Sequence, residues 1–199
     1  MVMHAAALKR RVTIEEYLAF EEASPEKHIL WDGEIFPMWG LAGALPAHNA
    51  IVANVFIAIG NALRGRGCRP FNSDQKIWVP LKGGVVYPDV SVVCGKAVLH
   101  PATLDTFDNP VAIVEVLSPG TEAFDRSEKF EGYRSIETVR DYVMLASDGA
   151  HAEHYARSAD GGWILREYRT GTAFSLSSVD VALHVDELYE GAFDLTVAG

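Results

Sequence analysis

Residues 111–117, Val-Ala-Ile-Val-Glu-Val-Leu, constrain the fold more than any other stretch of this chain. Six of the seven side chains are apolar, so the run does not alternate as a half-solvated strand does. It reads as a strand covered on both faces, ended by Pro119-Gly120. Such a strand demands a packed layer above and below the sheet. The one polar residue, Glu115, lies inside it. An unpaired buried carboxylate costs several kcal/mol, so Glu115 must be neutralised, paired with a fixed cation or used for chemistry.

The neighbouring segments supply the layers. Thr13 with Glu16 three residues on is a capping box, followed by an amphipathic helix carrying Ile14, Leu18 and Tyr17. Asp32-Gly33 between two apolar runs marks a hairpin. A core helix is predicted from Pro46 to the glycines after Leu63, with Ile51, Val55, Ala58, Ile59 and Leu63 on one face. Strands are predicted around 69–72, 75–80 and 85–94, with Lys82-Gly83-Gly84 turning between the last two and a loop over 100–110. After the Glu115 strand come a helix with Phe124, Phe130 and Tyr133 facing inward, a strand at 140–147, a last hairpin around Asp160-Gly161-Gly162 and a short closing helix at 185–190. The expected class is α/β, or α+β with a mixed sheet: a central mixed sheet flanked by helices, preceded by an N-terminal helix and hairpin. Nothing divides the 199 residues, which are expected to form a single domain over 1–199.

Composition narrows the function classes. No apolar run is long enough to span a bilayer, and the opening MVMHAAALKRRV has its basic residues on the wrong side of its apolar stretch for a secretory signal. Cys68 and Cys94 form no metal-ligand motif and read as small core residues in a reducing cytoplasm. A net charge of −10 argues against non-specific coating of nucleic acid, while leaving room for a local basic cleft. It also suits a centre that gathers carboxylates around a divalent cation.

A second acid stands in an apolar strand: Asp89, directly after Pro88. Proline there removes a ladder donor and bends the chain, which turns Asp89 toward a neighbouring strand. Asp89, Glu115 and the backbone carbonyl of Val116 would make an all-oxygen site for Mg²⁺ or Mn²⁺. Asp125, Lys129 and Tyr133 recur at four-residue spacing on the helix that follows, and Lys129 is the candidate for stabilising charge on a reacting phosphate. Blander roles stand beside these: a buried arginine partner for Glu115, a turn role for Asp89, a surface ion pair between Asp125 and Lys129, and a core position for Tyr133.

The segments YPDVSVV, VAIVEVLSPGT, DRSEKFEGY and VRDYVMLASD resemble the Uma2 family, a branch of the PD-(D/E)xK nuclease-like superfamily. The resemblance runs over roughly 13–148. It implies a restriction endonuclease-like core with a divalent-metal phosphodiesterase centre. Asp89 matches the motif aspartate and Glu115 the motif glutamate. In the superfamily's common pattern the lysine stands two residues after the acid, where this chain has Leu117; Lys129 on the next helix is then the displaced lysine. Glu34 and His48, in the matching N-terminal segment, would border the site. The expected activity is a Mg²⁺- or Mn²⁺-dependent DNA endonuclease, a homodimer if both strands of a duplex are cut. A non-cleaving binding module and a hydrolase of smaller phosphoesters are the rivals.

Overall fold

The structure is a computed structural model describing residues 10–38, 45–120 and 122–194. Most of the opening stretch weighed against a secretory signal lies outside these residues. Two mixed sheets form the frame, so the single central sheet expected becomes a pair.

The first sheet is built around the N-terminal hairpin. Helix α1 (Ile14–Ala23) starts on the Thr13–Glu16 capping box, with both reciprocal bonds present. Strands β1 (His28–Trp31) and β2 (Glu34–Pro37) turn at Asp32 and Gly33, both at positive φ as a two-residue hairpin turn requires. Strands β4 (Lys76–Val79), β5 (Gly84–Val86) and the two-residue β7 (Thr106–Phe107) complete the order β2-β1-β5-β4-β7. The short β7 falls in the segment predicted to be only loop.

The second sheet has the order β11-β10-β9-β8-β6-β3. It comprises β3 (Cys68–Asn72), β6 (Val90–Cys94), β8 (Pro110–Leu117), β9 (Asp141–Ala146), β10 (His151–Arg157) and β11 (Trp163–Arg169). Its centre is the parallel pair β8–β9, and the other pairs are antiparallel. The strand predicted over 85–94 is split at Tyr87–Pro88–Asp89. β5 belongs to the first sheet and β6 to the second, because the proline breaks the ladder where the chain changes sheets.

Both faces of β8 are covered, as its composition demanded. Ala112, Val114 and Val116 pack against α2 (Pro46–Ala62), whose Ile51, Val55 and Ile59 are buried. A hairpin of β12 (Ala173–Leu176) and β13 (Val181–His184), followed by α5 (Val185–Leu188), closes that core. The hairpin around Asp160 is therefore not the last one. Ile113 and Leu117 face the opposite core, made with Trp31, Ile77 and Val79 of the first sheet and with Tyr133 and Ile136. Tyr133 ends a helical segment made of α3 (Glu122–Phe124), a π-helical turn over Asp125–Lys129 and α4 (Phe130–Tyr133). Gly132 lets this segment approach the first sheet. A Cβ there would stand 2.7 Å from the Trp31 ring and 2.8 Å from a Val79 methyl.

Cys68 and Cys94, expected as unpaired core residues, are joined by a disulfide. The β3–β6 register sets them directly opposite each other, a proximity that sequence spacing does not reveal. The argument from free thiols to a reducing compartment loses its premise. Among the described residues, no helix is long and apolar enough to cross a membrane.

Candidate functional site

The register Val90↔Val114, continued by one residue, sets Asp89 opposite Glu115. The contacts agree with it. Asp89 donates its backbone N–H to Glu115 Oε2 at 3.3 Å, and Asp89 Oδ2 accepts from the Val116 N–H at 2.8 Å. The aspartate thus satisfies backbone that the broken ladder leaves open.

The helical segment supplies the other half. Tyr133 donates its hydroxyl to Glu115 Oε1 at 2.7 Å, and Lys129 Nζ donates to the same oxygen at 3.0 Å. Lys129 also lies 2.7 Å from Asp125 Oδ1. The Asp125–Lys129 pair is therefore present but buried, and it is shared with Glu115 rather than solvated. Glu115 has its cation, a lysine fourteen residues on. Oε1 takes both strong donors, whereas among the described residues Oε2 has only the long contact to the Asp89 N–H.

The electrostatics are unbalanced. Three carboxylates, Asp89, Glu115 and Asp125, face one ammonium. Burial, more than anything else, pushes Glu115 up to about 7; Asp125 and Asp89 add to the rise, while Lys129 and the Tyr133 hydrogen bond oppose it. Burial alone would lower the pKa of Lys129, but Glu115 and Asp125 outweigh it and hold the ammonium charged. Burial and the charge of Glu115 raise the Tyr133 phenol well above its ordinary range, so it acts as a donor.

His48, near the start of α2, borders the cluster from the other core. Its Nε2 is 3.4 Å from Asp89 Oδ2, and its Nδ1 is buried without a hydrogen-bond partner. Burial favours the neutral ring, yet the hydrogen bond to Asp89 and the charges of Asp89 and Glu115 raise its pKa overall. Glu34 sits on β2, across from Trp31, and is not among the residues these distances join. Asp125, which the sequence grouped with Lys129 and Tyr133 by its four-residue spacing but which was not expected among the site residues, belongs to the cluster.

The donor set suits a hard divalent cation: two carboxylates and a strand carbonyl, with excess negative charge and a lightly used Glu115 oxygen. Among the described residues, no three His, Cys, Asp or Glu side chains are preassembled into a metal cage. An ion held here would keep much of its coordination as water, which is the habit of Mg²⁺.

This architecture superposes on a solved structure from Anabaena variabilis, "a putative nuclease belonging to DUF820", with a TM-score of 0.73 and 14% identity over 92% of this chain and 99% of that one. The fold is thus that of a nuclease-like mixed α/β protein. The Uma2 family model, "Putative restriction endonuclease", matches residues 14–186, and the chain belongs to that family. Two relatives come from Synechocystis sp. The uncharacterized protein slr1290 is 33% identical over 192 residues, covering 96% of this chain and 98% of its own. The uncharacterized protein sll1609 is 32% identical over 165 residues, 83% of this chain and 92% of its own.

Proposed function

We propose that the chain is a Mg²⁺- or Mn²⁺-dependent nuclease that hydrolyses phosphodiester bonds of DNA. The observation that carries this is the convergence of Asp89, Glu115 and Lys129 at one strand junction, with more carboxylate than cation. Asp89, Glu115 Oε2 and the Val116 carbonyl would hold the ion. A divalent cation in such a site polarises a phosphate oxygen and lowers the pKa of water.

The protein's own groups do the rest. Tyr133 and Lys129 anchor Oε1 and so fix the rotamer of Glu115, leaving Oε2 as the oxygen that would hold a cation. The Lys129 ammonium, kept protonated by its carboxylate neighbours, supplies a fixed positive charge where negative charge builds on phosphorus. His48 and the Val116 N–H orient Asp89. The lysine stands on a helix rather than two residues after Glu115, yet it reaches the site from the strand face that Leu117 also occupies, opposite the core of α2.

The test is cleavage of supercoiled plasmid in Mn²⁺ by wild type, Asp89→Asn and Glu115→Gln, with metal affinity measured by calorimetry. Metal-dependent cleavage by wild type, lost in both variants, supports the assignment. Tight metal binding without cleavage of plasmid points to a smaller phosphoester. Neither binding nor cleavage leaves a non-catalytic nucleic-acid or protein binding module.

A further inference from the structure

Many cations of the described chain are matched with carboxylates. Lys27 pairs with Asp74, Lys76 with Asp105, Lys82 with Glu128 and Glu131, Arg126 with Glu122 and Glu153. Three arginines gathered at one place are not. Arg134 directly follows the helical segment, Arg140 precedes β9, and Arg157 ends β10. The backbone N–H of Arg157 donates to the Arg140 carbonyl at 2.7 Å, and its guanidinium donates to the carbonyls of Arg134 and Glu137. Among the described residues, none of the three forms an ion pair with a carboxylate.

Two of the three guanidinium groups lie against aromatic rings. The Arg157 guanidinium lies 4.9 Å from the Trp163 centroid and that of Arg134 lies 5.6 Å from Phe130. Phe130 and Trp163 meet edge to face at 5.6 Å, which makes one continuous support. Arg134 and Arg140 are exposed, while Nε of the half-buried Arg157 has no hydrogen-bond partner. The pKa of Arg157 is lowered, first by burial and then by repulsion from Arg140, against the weaker opposite pull of Glu137.

We propose that Arg134, Arg140 and Arg157 form a phosphate-contacting surface for a nucleic-acid strand, an inference that rests on the nuclease reading and gives it a substrate path. In a chain with 27 acidic and 17 basic residues, an uncompensated trio is unusual ground, and a polyanion relieves its repulsion. Guanidinium forks with fixed planes match phosphate oxygens in a way that flexible ammonium groups do not. The supporting rings are half-buried, so they stiffen the arginines instead of stacking on bases. Contact is therefore with the backbone and independent of sequence. The surface starts at the C-terminal end of the helical segment that carries Lys129 and Tyr133, the residues bonded to Glu115.

The experiment is fluorescence anisotropy of a labelled duplex of about 20 bp in EDTA, between about 50 and 200 mM salt. It compares wild type, Arg134→Gln/Arg140→Gln, and Arg11→Gln/Arg64→Gln, which removes the same charge from exposed arginines on other elements. Arg157 is left in place because it holds two backbone carbonyls. The first double variant is expected to bind about tenfold more weakly at intermediate salt, with a salt slope smaller by about 2. The control double variant is expected to stay near wild type. Equal losses in both doubles, no wild-type binding at low salt, or equal competition by polyglutamate would each overturn the proposal. Cleavage in Mn²⁺ is measured in parallel. Weakened binding beside an Asp89→Asn variant that still cuts keeps the surface and removes the assigned site. Unchanged binding beside an inactive Asp89→Asn does the reverse.

Discussion

Replacing Glu115 by glutamine isolates the electrostatic cost of the cluster. The ordinary glutamate value of 4.5 rises to about 7 in the folded protein, chiefly through burial. An acid whose folded pKa is raised binds its proton more tightly in the native state. The stability this gives is complete below about 4.5 and is lost as pH rises through about 7. At about 1.4 kcal/mol per pKa unit, the loss is on the order of 3 kcal/mol. Glutamine imitates the protonated side chain, keeps an acceptor for Tyr133 and Lys129, and cannot ionise. Urea denaturation in EDTA at pH 5 and pH 8 gives the comparison; titrating groups that Glu115 does not touch cancel to first order, and making both proteins in a His48→Gln background removes the neighbour whose pKa Glu115 raises. Wild type should lose about 2.5 kcal/mol more than Glu115→Gln between the two pH values, because part of the loss falls below pH 5, and the variant should be the more stable protein at pH 8. Parallel pH dependence, or a variant that is less stable at pH 8, would refute the argument. The latter would mean that the attraction to Lys129 exceeds the cost of burial.

Mn²⁺ at about a hundred times its Kd should stabilise wild type by about 2.7 kcal/mol in thermal melts and leave Glu115→Gln unmoved. Lys129→Ala should retain metal binding yet cut plasmid on the order of 10²–10³-fold more slowly, with Lys129→Arg rescuing only in part. It should also lose about 1–3 kcal/mol of stability in urea at pH 8, because the buried cluster loses its cation and Glu115, already raised to about 7, must take up a proton. Tyr133→Phe should cost about 1.5–3 kcal/mol above pH 7, read by the same denaturation, since it removes a hydrogen bond to a buried carboxylate. Gly132→Ala should cost about 1–3 kcal/mol, because its methyl meets Trp31 and Val79 at less than 3 Å; a near-neutral melt would show that the helical segment can shift outward.

Local signals carried much of this architecture. The Thr13 capping box, the Asp32-Gly33 turn, the Pro46 helix start and the apolar run of β8 each depend on residues a few positions apart, and each appears where it was read. What escaped depends on distant pairing. Pro88 marked a break, but only the ladder partners of β5 and β6 reveal that the break separates two sheets. Cys68 and Cys94 were invisible as a pair until register set them opposite each other. The β12–β13 hairpin is a different case. Its buried positions alternate, at Phe174 and Leu176 and again at Val181 and Leu183, so the pattern was present and went unread. Glu115 announced itself through the mismatch between its charge and its surroundings. Tyr133 did not, because a buried aromatic on a helix is compatible with simple packing, and only its hydroxyl partner distinguishes it.

Tyr87, Pro88 and Asp89 carry the chain from one sheet to the other in three residues, which reach at most about 10 Å. Tyr87 is tied to Glu21 of α1 at one end, and Asp89 to Val116 at the other. The junction is a short tether anchored at both ends. Two-fragment complementation should succeed when the chain is opened at the exposed Asp160-Gly162 turn, where only a hairpin connection is lost. A cut or a one-residue insertion at the tether would let the sheets settle independently of Asp89. A library of insertions scored first for folding and then for function would separate these two behaviours, and residues 87–89 mark where a chain can stay folded and still lose its chemistry.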